Sequence, residues 1–217
     1  MVDNLKNFKE VVDGQVARFP SANLCARVDR GDVAMHHYHA ILATLFHQTY
    51  SGPYTFAKAA VNCSWHHEVA KEYLLRHAEE ERTHWRWVLD DLNATDYSVK
   101  NLRDLPPHPT CQAYIGLNYY VAEHVPVARL AIAAVLEGIG AVHGETYGRK
   151  LLQTVGLRKE QASFFLSHAE TDKTHIVELL EVIDQCDLSS DEWRWMNYAA
   201  ETAGLFYREM YNHEAFQ

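Results

Sequence analysis

Two octapeptides in this chain share one pattern, His-Ala-Glu-x-x-x-Thr-His: HAEEERTH at residues 77–84 and HAETDKTH at residues 168–175. Each sets an acid four residues after its first histidine, Glu81 in one and Asp172 in the other. At about 100° per residue, positions i, i+4 and i+7 of an α-helix fall within roughly 40° of one another. His77, Glu81 and His84 therefore make one stripe, and His168, Asp172 and His175 a second. Apolar residues continue both stripes, Ala70, Leu74 and Val88 around the first and Phe164, Phe165, Leu179 and Val182 around the second, so both face a core. Buried ionisable groups are costly unless a partner or a metal takes up their charge. A third segment, LAIAAVLEGIGAV at residues 130–142, carries one acid, Glu137, with no charged residue three or four positions away. It shares a face with Leu130, Ala133, Ala134 and Ala141, small enough to admit other helices. A buried Glu opposite two buried His-acid-His stripes is metal chemistry. The neighbouring Glu79, Glu80, Arg82, Glu170 and Lys173 are expected on the solvated side.

Carboxylates and imidazoles without thiolates suit iron, with manganese admissible in one position. Three acids and three or four histidines exceed the needs of one ion. Histidines seven residues apart lie about 10 Å apart along a helix axis, which brackets a pair of ions about 3.5–4 Å apart. The expected ligands are Glu81, His84, Glu137, His168, Asp172 and His175, with the three acids supplying charge and bridging oxygens and open positions left for dioxygen. A ferritin-like bundle uses a Glu from each of two helices and a Glu-x-x-His from each of the other two. Here E81-x-x-H84 and D172-x-x-H175 are present, but His168 stands where the fourth carboxylate would be wanted.

The elements that must hold these residues are helices. Apolar residues recur at spacings of three and four, while Gly and Pro cluster between the periodic stretches. The pattern predicts helices over residues 3–18, 31–50, 53–62, 65–93, 110–122, 125–154, 158–186 and 189–213. Pro20, Gly52-Pro53 and Pro106-Pro107-His108-Pro109 mark breaks, Gly156 caps the sixth helix, and Ser189 with Glu192 opens the last as a capping box. The 217 residues, 47% apolar and 23% charged, suit one domain over residues 1–217. A net charge of −9 with scattered Lys and Arg excludes a nucleic-acid surface. No apolar leader or membrane span of roughly 18 residues is evident, so a cytoplasmic protein is expected. Cys25, Cys63, Cys111 and Cys186 form no C-x-x-C pair and are expected as buried, reduced thiols.

This arrangement resembles the haem-oxygenase-like di-metal oxidases and oxygenases, a family that includes the Chlamydia protein associating with death domains and the decarboxylase that makes 1-undecene. The resemblance rests on Glu81 with His84, then Glu137, then the H-x3-D-x2-H of His168, Asp172 and His175, and spans nearly the whole chain. It implies an all-α, haem-oxygenase-like bundle of seven to eight helices with pseudo-twofold halves. It also implies two ferrous ions, dioxygen as co-substrate, an external reductant and a small-molecule substrate. Known outcomes in that family are N-oxygenation, desaturation and C–C cleavage of amino acids or fatty acids, sometimes with nitrile formation. Some members carry a carboxylate where this chain has His77, which leaves that residue either a ligand or a donor orienting Glu81. A homodimer is compatible with such a fold.

Arg129, two turns before Glu137, is a candidate for holding a substrate carboxylate, with a surface salt bridge as the alternative. Two other activities share the fold. A TenA-type pyrimidine or thiamine hydrolase would want a nucleophilic Cys on the Glu137 helix, and Cys111 lies elsewhere. A haem-degrading oxygenase would want an axial histidine near the amino terminus, for which His36, His37, His39 or His47 would serve, and a glycine-rich helix such as GIGAVHG at residues 138–144. Haem leaves Glu137, Asp172 and the paired stripes unexplained. A non-catalytic metal-binding or interaction module is the remaining class, and it would consume no dioxygen.

Overall fold

Periodic apolar spacing becomes helix throughout: in the computed structural model, which describes residues 4–97 and 102–217, every regular element among the described residues is helical. The α-helical segments are α1 (Asn4–Arg18), α2 (Asn23–Arg30), α3 (Met35–Asn62), α4 (Glu68–Glu81), α5 (Trp85–Ala94), α6 (Pro109–His124), α7 (Arg129–Ile139), α8 (Glu145–Val155), α9 (Ser163–Gln185) and α10 (Ser190–Glu209). A tight turn joins α4 to α5, and the π-helical turn Gly140–Gly144 joins α7 to α8. These are the eight rods of the expected all-α bundle. Their inner faces meet in one apolar cluster that includes Tyr38, Leu42, Leu74, Leu130, Ile132 and Leu179.

Several boundaries differ from the sequence pattern for identifiable reasons. Residue 3, the expected start of the first helix, lies outside the described residues. The short helix α2 falls before the predicted start at residue 31, where Gly31 instead closes α2 in the left-handed conformation, φ 69°. Gly52-Pro53 does not split α3. Pro53 is buried inside one 28-residue helix, the neighbouring Thr49 and Thr55 hydroxyls donate to the carbonyls of Leu45 and Gly52, and packing against α4 and α6 carries the helix through. The stretch expected as one helix over 65–93 breaks at residues 82–84. Gly156, φ 77°, caps α8 as expected, and Ser189 and Glu192 form the capping box of α10. All four cysteines are free, Cys186 being only half-buried.

The Pro126–Val155 stretch is long and apolar enough to cross a membrane by length and composition, which the sequence reading did not anticipate. Its apolar window is 67% buried inside the bundle, and α7 within it packs against α1, α9 and α10. It is the core helix on which Glu137 is mounted.

Helix α9 begins at Ser163 because a distant acid caps it. The carboxylate of Asp91, on α5 and fully buried, accepts from the Ser163 N–H at 2.8 Å, the Ser163 hydroxyl at 2.6 Å and the Phe164 N–H at 2.9 Å. This supplies donor satisfaction and a favourable charge at the helix N-terminus. Burial raises the Asp91 pKa, opposed by those same donors. The contact also fixes the register of α9 relative to α5, and with it the position of His168. Asp91→Ala leaves three donors, that of Phe164 buried and two on half-buried Ser163, without their acceptor and is expected to cost about 3 kcal/mol. At this chain length that lowers the midpoint by roughly 6–12 °C in scanning calorimetry; an unchanged midpoint would refute the capping role.

Candidate metal centre

The two His-acid-His stripes reach the same interior point by different local routes. The α9 stripe is regular: His168, Asp172 and His175 lie on one uninterrupted helix. The first stripe is not, because α4 stops at Glu81 and residues 82–84 turn with three-residue hydrogen bonds, Arg82 N–H to the Glu79 carbonyl and His84 N–H to the Glu81 carbonyl. The turn folds His84 back so that its Nδ1 lies 2.8 Å from Glu81 Oε2, and it replaces the expected straight i, i+7 spacing.

Two overlapping donor groups result. In one, Glu81 Oε2 stands beside His84 and lies 3.8 Å from His168 Nε2. In the other, Glu137 Oε1 lies 3.2 Å from His77 Nε2 and Glu137 Oε2 lies 3.3 Å from His175 Nδ1. Potential ligand atoms of Glu81, His84 and His168 lie within 4.8 Å of one another, as do those of Glu137, Asp172 and His175. A third set, His77, Glu81 and His175, meets the same limit and links the other two. The structure thus brings together all six expected ligands and also His77, which is 1% exposed and belongs with Glu137 and His175.

Orientation is fixed by groups behind the donors. His168 Nδ1 lies 3.2 Å from the Phe164 carbonyl. A carbonyl only accepts, so Nδ1 carries a proton, and Nε2 is the nitrogen turned toward Glu81 that a metal would take. His84 stacks on Trp87 at 4.1 Å, and Phe56 packs edge-on to His77 at 4.5 Å. The glycines at residues 138–144 let elements approach closely. A Cβ at Gly140 would fall 1.6 Å from Asp172 Oδ2, one at Gly144 3.0 Å from the Ala169 Cβ, and one at Gly138 2.9 Å from Val16. The π-helical turn, in a helix otherwise read as regular over 125–154, is where α9 comes in.

The buried acids and histidines shift one another's protonation. Burial opposes ionisation of Glu81, but His168 and His84 overcome it and hold its carboxyl well below the usual range. Burial likewise opposes ionisation of Glu137, while His175, His77 and a hydrogen bond with Asp172 bring it to about 2. Asp172 is pushed well above the carboxylate range by burial and by the charge of Glu137, and His175 is raised by Glu137 beside it. Despite these short approaches Glu137 Oε2, His77 Nδ1 and His175 Nδ1 are buried without hydrogen-bond partners. Orphaned carboxylate oxygen and imidazole nitrogen in one cluster are satisfied together by a cation. All donors are O or N, which fits iron.

His77, Glu81, Glu137, His168 and Asp172 line a cavity that is partly open to solvent. Arg129 lines it too. It is 3% exposed, its Nε donates to Thr55 Oγ1 at 3.1 Å, and its guanidinium carbon lies 3.5 Å over the Phe56 ring. The surface salt bridge considered for Arg129 is therefore replaced by a buried cation. Glu80, expected on the solvated side, is 41% exposed yet brings Oε2 to 3.6 Å from His77 Nδ1 and 3.7 Å from His175 Nε2. No local pattern distinguishes it from Glu79.

Residues considered for other activities lie elsewhere. None of His36, His37, His39 and His47 lines the cavity; His37 Nδ1 accepts from the Ala34 N–H and His39 Nε2 pairs with Thr95. The Cys111 thiol donates to the Thr44 carbonyl, away from the cavity wall. The thiol lining the wall is Cys25, pushed up to about 12 by burial and by Asp29, which leaves it a poor nucleophile.

Residues 41–203 match a protein-family model described as iron-containing redox enzyme. Among solved structures, a domain of unknown function with a heme oxygenase-like fold from Shewanella denitrificans superposes with a TM-score of 0.87 at 17% identity, covering 97% of this chain and 91% of that one. A TenA homolog from Pseudomonas syringae pv. tomato gives 0.74 at 16% identity, with 95% and 90% covered. Heme oxygenase-2 from Synechocystis, in complex with heme and NO, gives 0.77 at 12% identity, with 97% and 84% covered. No curated protein matches by sequence. At these identities the solved structures show the fold alone, a haem-oxygenase-like helical bundle.

Gly140→Ala forces Asp172 out of its place while putting a helix-favouring residue at the start of the π-helical turn after α7. Far-UV circular dichroism is expected to stay unchanged while ferrous-ion uptake falls by about one equivalent relative to wild type. Unchanged uptake would show that Asp172 is not held by this approach.

Proposed function

Because this chain belongs to the haem-oxygenase-like family of iron-containing redox enzymes, we propose that it is a non-haem di-iron oxidase or oxygenase. It would use dioxygen to oxidise a small amino-acid or fatty-acid-type metabolite. The observation that carries this reading is the sharing of Glu81 between donor groups: with His84 and His168 on one side, and with His77 and His175 on the other. One buried carboxylate common to two sets of nitrogen ligands suits a pair of ions better than one.

In this reading Glu81, His84 and His168 would hold one ferrous ion, and Glu137, Asp172, His175 and His77 a second, with manganese admissible in one position. When bound, such a pair supplies electrons for dioxygen reduction and Lewis acidity for the substrate. The rest is the work of the chain. The Phe164 carbonyl holds the His168 tautomer, and Glu80 lies beside His77 and His175 at the edge of the cluster, where it can orient both rings. Apolar side chains such as Leu136, Phe164 and Leu151 keep water from the reacting centre, and the cavity positions a substrate along the ligand wall. Turnover would also require an external reductant. N-oxygenation, desaturation, C–C cleavage and nitrile formation are all compatible with this arrangement.

The placement of the cavity thiol and of the amino-terminal histidines favours this reading over a TenA-type hydrolase or a haem-degrading oxygenase. A non-catalytic iron-binding module would share the ligands but not the dioxygen consumption.

Anaerobic titration with ferrous iron is expected to reach about two equivalents per chain, and mixing with oxygenated buffer to consume dioxygen only when iron is present. His77→Ala is expected to bind about one equivalent. Glu137→Ala should abolish iron-dependent oxygen uptake and leave the metal-free protein at least as stable as wild type, since it removes a buried charge. Absence of iron uptake, or full turnover by Glu137→Ala, would overturn the reading.

A further inference from the structure

Arg129 is a second buried charge in the cavity, and the ligand cluster does not use it. It stands eight residues before Glu137, about 12 Å along the helix axis, in the first turn of α7, where the helix dipole disfavours a cation. Its contacts are a neutral hydroxyl and an aromatic face, Thr55 and Phe56, and its Nη1 is buried with no hydrogen-bond partner. No carboxylate forms an ion pair with it among the described residues. The charges of Glu137 and Glu81 act on it from farther away, but both acids are engaged by histidines. Burial lowers its pKa only to about 10, so it stays charged at neutral pH. A guanidinium held in this way presents a planar fork of donors, the geometry that recognises a carboxylate.

The rest of the wall narrows the class further. Among the described residues the only acids lining the cavity are Glu81, Glu137 and Asp172, all within the ligand cluster. No acid remains to receive a substrate ammonium group. Leu24, Val28, Ile139, Leu151 and Phe165 give the cavity hydrocarbon walls instead. Charge balance agrees: three carboxylates cannot offset two divalent ions together with a guanidinium, and a monoanionic substrate reduces the excess.

We propose that Arg129 anchors the carboxylate of an aliphatic or arylalkyl monocarboxylic acid without an ammonium group, whose hydrocarbon part lies along the apolar wall toward Glu137. This rests on the di-iron reading for the fate of the substrate, whereas the binding itself resides in the chain and can be measured without metal.

The test is calorimetric titration of the metal-free and the anaerobically iron-loaded protein with octanoate, 1-octanol and 2-aminooctanoate. Octanoate is expected to bind at least about tenfold more tightly than either of the others in both forms. Arg129→Gln is expected to weaken octanoate binding roughly 10- to 100-fold, leave octanol unchanged and still take up the same iron as wild type. Arg129→Lys should keep part of the preference for the acid. Equal binding of acid and alcohol by the wild type, tighter binding of the amino acid, or a preference that survives in Arg129→Gln would overturn the proposal. If Arg129→Gln fails to fold, the wild-type comparison and Arg129→Lys decide alone. Iron uptake is scored separately, so loss of the di-iron reading is distinguishable from loss of the carboxylate anchor.

Discussion

Three carboxylates and four imidazoles form three overlapping groups, each within 4.8 Å, where α4, the turn before α5, α7 and α9 meet, and the cost of burying them shapes the surrounding structure. The cost is divided: histidines hold the Glu81 and Glu137 carboxyls low, while burial and the charge of Glu137 push Asp172 up toward its neutral form. That settlement is incomplete, since atoms of Glu137, His77 and His175 are left without partners. A bundle optimised only for stability would fill such a place with apolar side chains.

Holding that cluster together requires close approach of helices, and the packing around it serves that end. Gly140 vacates the space taken by the Asp172 carboxylate, Gly144 admits Ala169, and the π-helical turn between α7 and α8 sits where α9 presses in. Asp91 fixes the start of α9 from α5, so that the cap of one helix sets the height at which His168 meets Glu81. The glycine-rich run, which taken alone suggests a distal haem helix, is the smooth face against which the helix carrying His168, Asp172 and His175 is seated.

Much of this was legible in the sequence because helical periodicity is a strong signal in long amphipathic segments. The α9 stripe, the isolation of Glu137 in an apolar helix and the capping box at Ser189 are local features, and local features survive folding. What escaped depends on contacts between distant residues or on the backbone departing from a regular helix. The turn at residues 82–84 interrupts a stripe that looks continuous in one dimension, and it brings His84 to Glu81. Pro53 looks like a break but lies inside α3, where tertiary packing outweighs a missing hydrogen bond. Asp91 and Glu80 gain their roles only from partners on other helices. Arg129 resembles a surface residue until the depth of α7 is known.

The central claim is that the cluster holds two ions, with Glu81 between them. The most direct measurement is anomalous diffraction at the iron edge from crystals loaded anaerobically with ferrous iron. The account predicts two separate iron peaks, one against Glu81, His84 and His168 and one against His77, Glu137, Asp172 and His175. A single peak shared by all these side chains, or iron bound elsewhere with the cluster empty, would contradict it.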